Sequence, residues 1–293
     1  MRTPRRVLVT GAGGFLASAL VPLLRRLHPA ALVLARRRSA DLSRPSEARR
    51  LVARARPELV FHLAGSLPPK PLAALWRDNV TATLMLGEAL RGCSARLVVA
   101  GSSAEYGPGP ASPVDESFPA EPLTAYGSVK RAQTLAALSF VHEGLDVRVA
   151  RIFNLCGPGT PETLAPGAFA AQAARLEKAG GGVLKTGDLR PSRDFLDVRD
   201  AAEALLALGL GAGLSGCYNV CSGRAVGMSE VLRIIMAAAR VRLAAARDPA
   251  RMRAVEVRGI RGSHARLTRA TGWRPRVPLA RSLKETLRWH RGV

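Results

Sequence analysis

The sequence predicts a doubly wound α/β fold: a parallel sheet covered by helices on both faces, with a smaller, discontinuous lobe toward the C-terminus. Three observations predict it. Short apolar runs alternate with helical patterns through the first half of the 293 residues. The runs are apolar at successive positions, the pattern of strands buried on both faces. A glycine-rich turn joins the first run to the first helical segment.

Taken in order, residues 6–10 (RVLVT) are the first strand, 11–14 the turn and 15–27 a helix. Pro22 inside that helix lacks an N–H donor and should kink the axis. Residues 31–35 (ALVLA), 59–63 (LVFHL), 96–100 (RLVVA) and 147–153 (VRVARIF) read as further strands. After Phe153 the texture changes. Residues 157–167 are rich in Gly, Pro and Thr and read as loop, followed by a helix over about 168–178 and then Gly180-Gly181-Gly182. Residues 195–208 read as a helix entered through Asp197 or Asp200, and 217–220 as a strand. The C-terminal third mixes helix with arginine-rich loop. The expected division is a sheet domain over 1–155, with 195–222 packing back onto it, and a second lobe from 156–194 and 223–293. No internal repeat or low-complexity linker interrupts the chain.

Composition narrows the function. Hydrophobic residues make up 47%, which excludes a disordered chain. No apolar run approaches the ~20 residues of a membrane span. The basic N-terminus leads directly into the glycine turn without a cleavage site, so the expected location is the cytoplasm and no membrane partner is expected. The net charge of +22 suggests nucleic acid, but 39 of the 44 basic residues are arginines spread over the whole chain. With aromatics at 4%, base-stacking surfaces are scarce, so nucleic acid is not the favoured partner. The charge instead sets up a field that attracts small anions. Cys93, Cys156, Cys217 and Cys221 form no C-x-x-C pair and read as reduced thiols; no metal site is expected.

The turn carries the first chemistry. Thr10-Gly11-Ala12-Gly13-Gly14-Phe15-Leu16-Ala17 places Gly11 for the tight bend, Gly14 for close approach of a pyrophosphate, and Ala17 for close helix–sheet packing. The helix N-terminus then offers free N–H groups to the anion. This makes the sheet a Rossmann-type dinucleotide binder. The second strand ends in Ala35-Arg36-Arg37-Arg38 with no acid before Asp41. An acid there would hold a ribose 2′-hydroxyl; Arg36 suits a 2′-phosphate, which favours NADP (NADPH) over NAD. Asp41 and Leu42 would lie beside the adenine.

Tyr126-Gly127-Ser128-Val129-Lys130 is a Y-x-x-x-K motif, which on a helix puts phenol and ammonium on one face. A fixed cation should lower the phenol pKa from its ordinary ~10 toward the range of proton transfer. Gly101-Ser102-Ser103-Ala104-Glu105-Tyr106-Gly107 follows a strand, where open sheets bind ligands, and a hydroxyl there can bond a carbonyl while Tyr126 protonates it.

The ordered set TGAGGFLA, FHLAG, DNV, GSSAEYG, YGSVK, FNLCGPG, RDFLDVRD, YNVCSG and TGWRP resembles the extended short-chain dehydrogenase/reductases, the NAD(P)-dependent sugar epimerase/dehydratase family, nearly end to end. The resemblance implies Ser102, Tyr126 and Lys130 as catalytic residues, with Ser103 as the fallback hydroxyl. It implies cofactor contacts from Gly11, Gly14, Phe15, Leu16, Arg36, Asp41, Leu42, Leu63, Ala64, Gly65, Asn79, Tyr126 and Lys130. Substrate contacts would come from Ser102, Ser103, Asn154, Arg193, Arg253 and Glu256. Asn79 could instead be structural, and His62 reads as filling space under the cofactor.

Within the family, dehydratases usually carry an acid two residues after the Ser/Thr. Here that position is Ala104, and Glu105 comes one residue late. Epimerases usually carry the acid after the second strand that this chain lacks. The string most resembles the branch that reduces the 4-keto group of GDP-4-keto-6-deoxy-D-mannose with NADPH to give GDP-D-rhamnose. The alternatives are a UDP-hexose-type 4-epimerase with bound NAD and a non-catalytic dinucleotide- or RNA-binding protein. Family members often pair through helices beside the sheet, so a homodimer is expected.

Overall fold

The computed structural model describes residues 4–27, 32–35, 40–110, 112–252 and 259–292. The strands and helices run in chain order β1 (Val7–Thr10), α1 (Phe15–Leu27), β2 (Leu32–Ala35), α2 (Pro45–Ala55), β3 (Leu59–His62), α3 (Leu72–Trp76), α4 (Ala82–Leu90), β4 (Arg96–Ser102), α5 (Ala125–Ser139), β5 (Asp146–Ile152), β6 (Asn154–Cys156), α6 (Ala165–Lys178), β7 (Gly182–Thr186), β8 (Ser192–Asp197), α7 (Val198–Leu210), β9 (Gly216–Val220), β10 (Ala225–Gly227), α8 (Met228–Ala237), β11 (Leu243–Arg247), α9 (Ala265–Thr271) and α10 (Leu279–His290). Six strands form one parallel sheet in the order β2-β1-β3-β4-β5-β9.

Strand alternation builds the two covering layers. Val7, Val9, Phe61, Val98 and Ala150 face Leu20 and Leu24 of α1 and Leu205 and Leu208 of α7. Leu8, Val60, Leu97, Val99 and Val149 face Val52 of α2, Leu86 and Leu90 of α4, and Ala137 of α5. Such a sheet is dry on both sides, which is why its strands read as continuous apolar runs. The chain passes from β1 to β2 on one flank, then crosses to β3 on the other. The strand order therefore reverses at β1, and a crevice opens beyond its C-terminal end. Arg148 of β5 is 1% exposed and pairs with Asp146, and its guanidinium donates to the carbonyls of Leu208 and Gly211. It thus caps the C-terminal end of α7 from inside the sheet.

A second core joins α6, α8 and α10 through Phe169, Ile235, Leu283 and Leu287. Beside it lie a small sheet, β10-β8-β6, and the pair β11-β7. Asp194 on β8 is fully buried and accepts from the backbone N–H groups of Ser222, Gly223 and Gly262, so it fastens three segments at one carboxylate.

Several elements differ from the sequence reading. Residues 195–197 end a strand rather than begin a helix. Phe195 and Leu196 pair with Asn154 and Leu155 of β6, and that partner is invisible to local periodicity. Asp197 then caps α7, its carboxylate accepting from Arg199 N at 2.8 Å. The helix expected from 168 begins at Ala165, with Pro166 in its first turn where no donor is needed. The strand expected over 96–100 extends to Ser102. Helix α1 spans Phe15–Leu27 with Pro22 inside it, the bounds read from the sequence. Among the described residues no helix is long and apolar enough to cross a membrane.

Candidate active site

The glycine turn sits in the crevice. Gly11 has φ +68°, and a Cβ there would stand 2.6 Å from Ala64 N and 2.7 Å from the Leu63 carbonyl carbon. Only glycine satisfies both the backbone geometry and this approach of β1 to the end of β3. Gly14 N donates to Gly11 O at 2.9 Å and closes the turn. A Cβ on Gly13 would meet nothing within 4 Å, so that face is open. An open glycine face at the N-terminus of the 13-residue α1 suits a dinucleotide pyrophosphate. Phe15, Leu16, Leu63 and Ala64 are half-buried around it. Leu42 is buried in a small cluster with Ala48 and Ala82, against which Ala64 packs. Asp41 is exposed, and hydrogen bonds from Ser43 hold its carboxyl below the ordinary value. Arg36 lies outside the described residues.

Asn79 is 1% exposed in a π-helical turn, and its Nδ2 donates to Ser66 O at 3.1 Å and Leu75 O at 2.7 Å. A Cβ on Gly65 would lie 2.5 Å from Asn79 Oδ1, so Asn79 sits directly beneath that loop. It supports the loop by backbone bonds, the structural alternative left open by the sequence.

Tyr126 and Lys130 stand in the first turns of α5. Thr124 caps the helix, accepting from Gly127 N at 3.0 Å. A Cβ on Gly127 would come within 2.4 Å of Ala104 O. The glycine inside the motif therefore lets the loop after β4 rest on the helix and brings Ser102 to Tyr126. The Ser102 hydroxyl acts on the Tyr126 phenol and pulls its pKa down, while burial, the larger effect, pushes it well up. Ser103 is buried. Lys130 is 5% exposed; burial lowers it to about 8, and the Glu105 charge works against that shift.

The expected lowering of the phenol by the lysine is not what the structure shows. Lys130 Nζ donates to Ala100 O at 2.6 Å and to Gln133 Oε1, and Tyr126 stands raised. Burial without an engaged cation keeps the phenol protonated, the state required of a proton donor.

Glu105 is fully buried. Its Oε1 accepts from Ser102 N at 2.9 Å, and its Oε2 lies 3.1 Å from Arg151 Nε. Arg151 Nη1 donates to Tyr106 Oη at 3.0 Å, and that hydroxyl donates to Asn219 Oδ1 at 2.7 Å. Glu105 and Arg151 are 0% and 5% exposed. The pair holds the Ser102 backbone in place from inside.

On the far wall, Asn154 begins β6, its Nδ2 donating to Asp194 O at 3.1 Å. Arg193 is half-buried on β8, with Nη1 donating to Ser192 O at 2.8 Å. Arg253 and Glu256 lie outside the described residues. The sequence reading missed Gln133, Thr83, Thr10 and Arg151. Gln133 was within reach, because three residues after Lys130 it shares the lysine's helix face. His62, read as filler, is hydrogen-bonded through both ring nitrogens.

The profile of the NAD dependent epimerase/dehydratase family matches residues 7–221. The chain belongs to that family. It is 36% identical to a GDP-6-deoxy-D-mannose reductase of Pseudomonas aeruginosa over 97% of this chain and 96% of that one. A structure of RMD from Pseudomonas aeruginosa complexed with NADPH superposes with a TM-score of 0.87 at 34% identity, covering 98% of this chain and 99% of that one. A UDP-glucose 4-epimerase of Mycolicibacterium smegmatis is 29% identical over 98% of both chains.

Proposed function

We propose that this chain reduces the 4-keto group of GDP-4-keto-6-deoxy-D-mannose to give GDP-D-rhamnose, with NADPH as reductant. The observation that carries a reductase over a dehydratase is the fate of the acid beside Ser102. Ala104 has no proton to give, and Glu105 is locked to Arg151 beneath the loop. The near full-length similarity to a GDP-6-deoxy-D-mannose reductase and to a structure holding NADPH supports the substrate and the cofactor.

Bound NADPH would supply the hydride. The protonated Tyr126 donates its proton to the oxygen of the reduced carbonyl, and Ser102 donates a hydrogen bond to the same oxygen. Lys130 has three donors and uses two on the protein, leaving one N–H for the cofactor ribose or the phenolate that forms. Gly11, Gly14, Phe15 and Leu16 would seat the pyrophosphate, with Leu63, Ala64 and Gly65 lining the opposite edge. Asn154 and Arg193 would contact the substrate, where arginine suits a diphosphate. The lobe division expected from the sequence is supported by α7 packing on α1, by β9 joining the sheet and by the separate core of α6, α8 and α10, whereas Leu267 of α9 and Trp273, expected in the second lobe, join the sheet-side core. A homodimer through α3 and α5 fits the exposed Leu72, Trp76 and Leu135, each about half accessible; a monomeric mass in light scattering would exclude it.

The test is Tyr126→Phe. Turnover should fall ~10²–10⁴-fold while NADPH affinity stays within about threefold. Ligand-induced stabilisation supplies the nucleotide: GDP should raise the melting temperature where UDP does not. Tightly held NAD and conversion of UDP-hexoses without net oxidation would point to the 4-epimerase instead.

A further inference from the structure

Lys130 is held by a chain of buried polar groups that begins at the glycine turn. The ammonium donates to Gln133 Oε1, and the other end of that amide, Nε2, donates to Thr83 Oγ1 at 3.0 Å. Thr83 Oγ1 donates to Asn79 O at 2.6 Å. A carbonyl only accepts, so the Thr83 proton is committed there. Its lone pairs then take one proton from Gln133 and one from His62 Nε2, 3.0 Å away. His62 is thereby fixed in the tautomer protonated on Nε2, and its Nδ1 accepts from Thr10 Oγ1 at 2.7 Å. Thr10 Oγ1 accepts in turn from Ala64 N at 3.3 Å, the same N–H that Gly11 packs against. Thr10, His62 and Thr83 are 0% exposed, Gln133 1% and Lys130 5%.

We propose that Gln133 is the positioning residue for Lys130, and that Thr83 and His62 carry its registration to the cofactor turn. The lysine stem is long and flexible, and a lone anchor at Ala100 O leaves the head free to swing. A second acceptor at Gln133 removes that freedom from the protein side. Gln133 cannot reverse its amide without facing Thr83 with an oxygen, and Thr83 has no proton left to offer. The polarity of the whole chain is therefore set from the carbonyl of Asn79 outward, and Lys130 always meets an acceptor. Since Thr10 and Ala64 flank Gly11, a ligand that orders the turn also braces the far end of this chain. The low pKa of Lys130 agrees with an ammonium that has lost water and depends on its few acceptors.

The test uses the full chain with ¹⁵N-lysine side-chain NMR, NADPH titration and, resting on the reductase reading, steady-state kinetics. Only five lysines are present, and the Lys130 signal is identified by its loss in Lys130→Arg. Gln133→Met removes the acceptor, so the Lys130 pKa should fall, NADPH affinity should drop about tenfold and kcat should drop similarly, with KM for the sugar within twofold. Gln133→Glu keeps an acceptor and adds charge, so the pKa should rise and most of the NADPH affinity should return. Thr83→Val should act in the direction of Gln133→Met by about threefold and Thr83→Ser should restore it; this pair decides if Gln133→Met does not fold. An unmoved Lys130 titration in Gln133→Met, or Met and Glu shifting it the same way, overturns the proposal. If the chain binds NADPH yet reduces no GDP-linked ketone, the substrate reading fails while lysine titration and NADPH affinity still decide Gln133.

Discussion

Replacing Arg151 by Met removes the cation from a site the structure has built around a pair. Glu105 is fully buried, and its Oε2 faces Arg151 Nε at 3.1 Å. Methionine fills similar space but leaves the carboxylate with one remaining donor, Ser102 N. Breaking a buried pair from one side costs about 3–5 kcal/mol, because the surviving charge cannot recover its water. A chain of this size unfolds with an entropy of about 0.6 kcal/mol/K, so Arg151→Met should melt about 5–8 °C lower. Pairing it with Glu105→Gln removes the stranded charge and keeps an acceptor for Ser102 N, so the double variant should regain at least about half of that loss. Differential scanning calorimetry on the four members of the cycle reads these values, and kcat should fall with the single variant as Ser102 loses its support. A melting point within 2 °C of wild type for Arg151→Met, or a double variant no more stable than the single, would refute the claim that this ion pair braces the catalytic loop.

Gly11→Ala should abolish measurable NADPH binding and destabilise the chain by about 1–3 kcal/mol, since φ is +68° and the new Cβ would press on Ala64 N; equilibrium urea unfolding and fluorescence titration check both. The Lys130 ammonium, with its pKa lowered from 10.5 to about 8, is lost as pH rises through that value, so kcat/KM for NADPH should decline above pH ~8. The same shift has the opposite sign for stability: between about 8 and 10.5 the unfolded chain binds a proton that the folded chain does not, so this group's contribution to stability rises with pH there. His62, lowered from 6.5 to about 3 by burial, acts in acid. As pH falls from 6.5 toward 3 only the unfolded chain takes the proton, so stability should drop by up to ~1.4 kcal/mol per unit from this residue. His62→Gln should flatten the acid limb of a melting-temperature profile, and an unchanged limb would assign the loss to other groups.

The sheet was largely legible because its information is local. Apolar runs mark strands buried on both faces, and the turn at Gly11, the motif at Tyr126 and Lys130, and Ser102 each occupy fixed places relative to those strands. Residues 195–197 were misread because Phe195 and Leu196 satisfy a helical stripe as well as a strand, and only pairing with β6 separates the two. Arg148 and Arg151 lie within the run 147–153 that read simply as a strand. Their acceptors lie 45 to 63 residues away, on Glu105, Tyr106, Leu208 and Gly211.

Sequence alone determined which chemical groups this chain has and roughly where along the fold they fall: a glycine turn, a phenol and an ammonium on one helix face, and a hydroxyl at a strand end. Tertiary structure decided their states. It turned Glu105 inward onto Arg151, kept Tyr126 protonated by burial, and hung Lys130 on Gln133 through a chain reaching Thr10. The reason is physical. Spacing along one helix or strand sets which side chains share a face, but the charge and proton a group carries depend on desolvation and on partners from other elements, which exist only once the chain has packed.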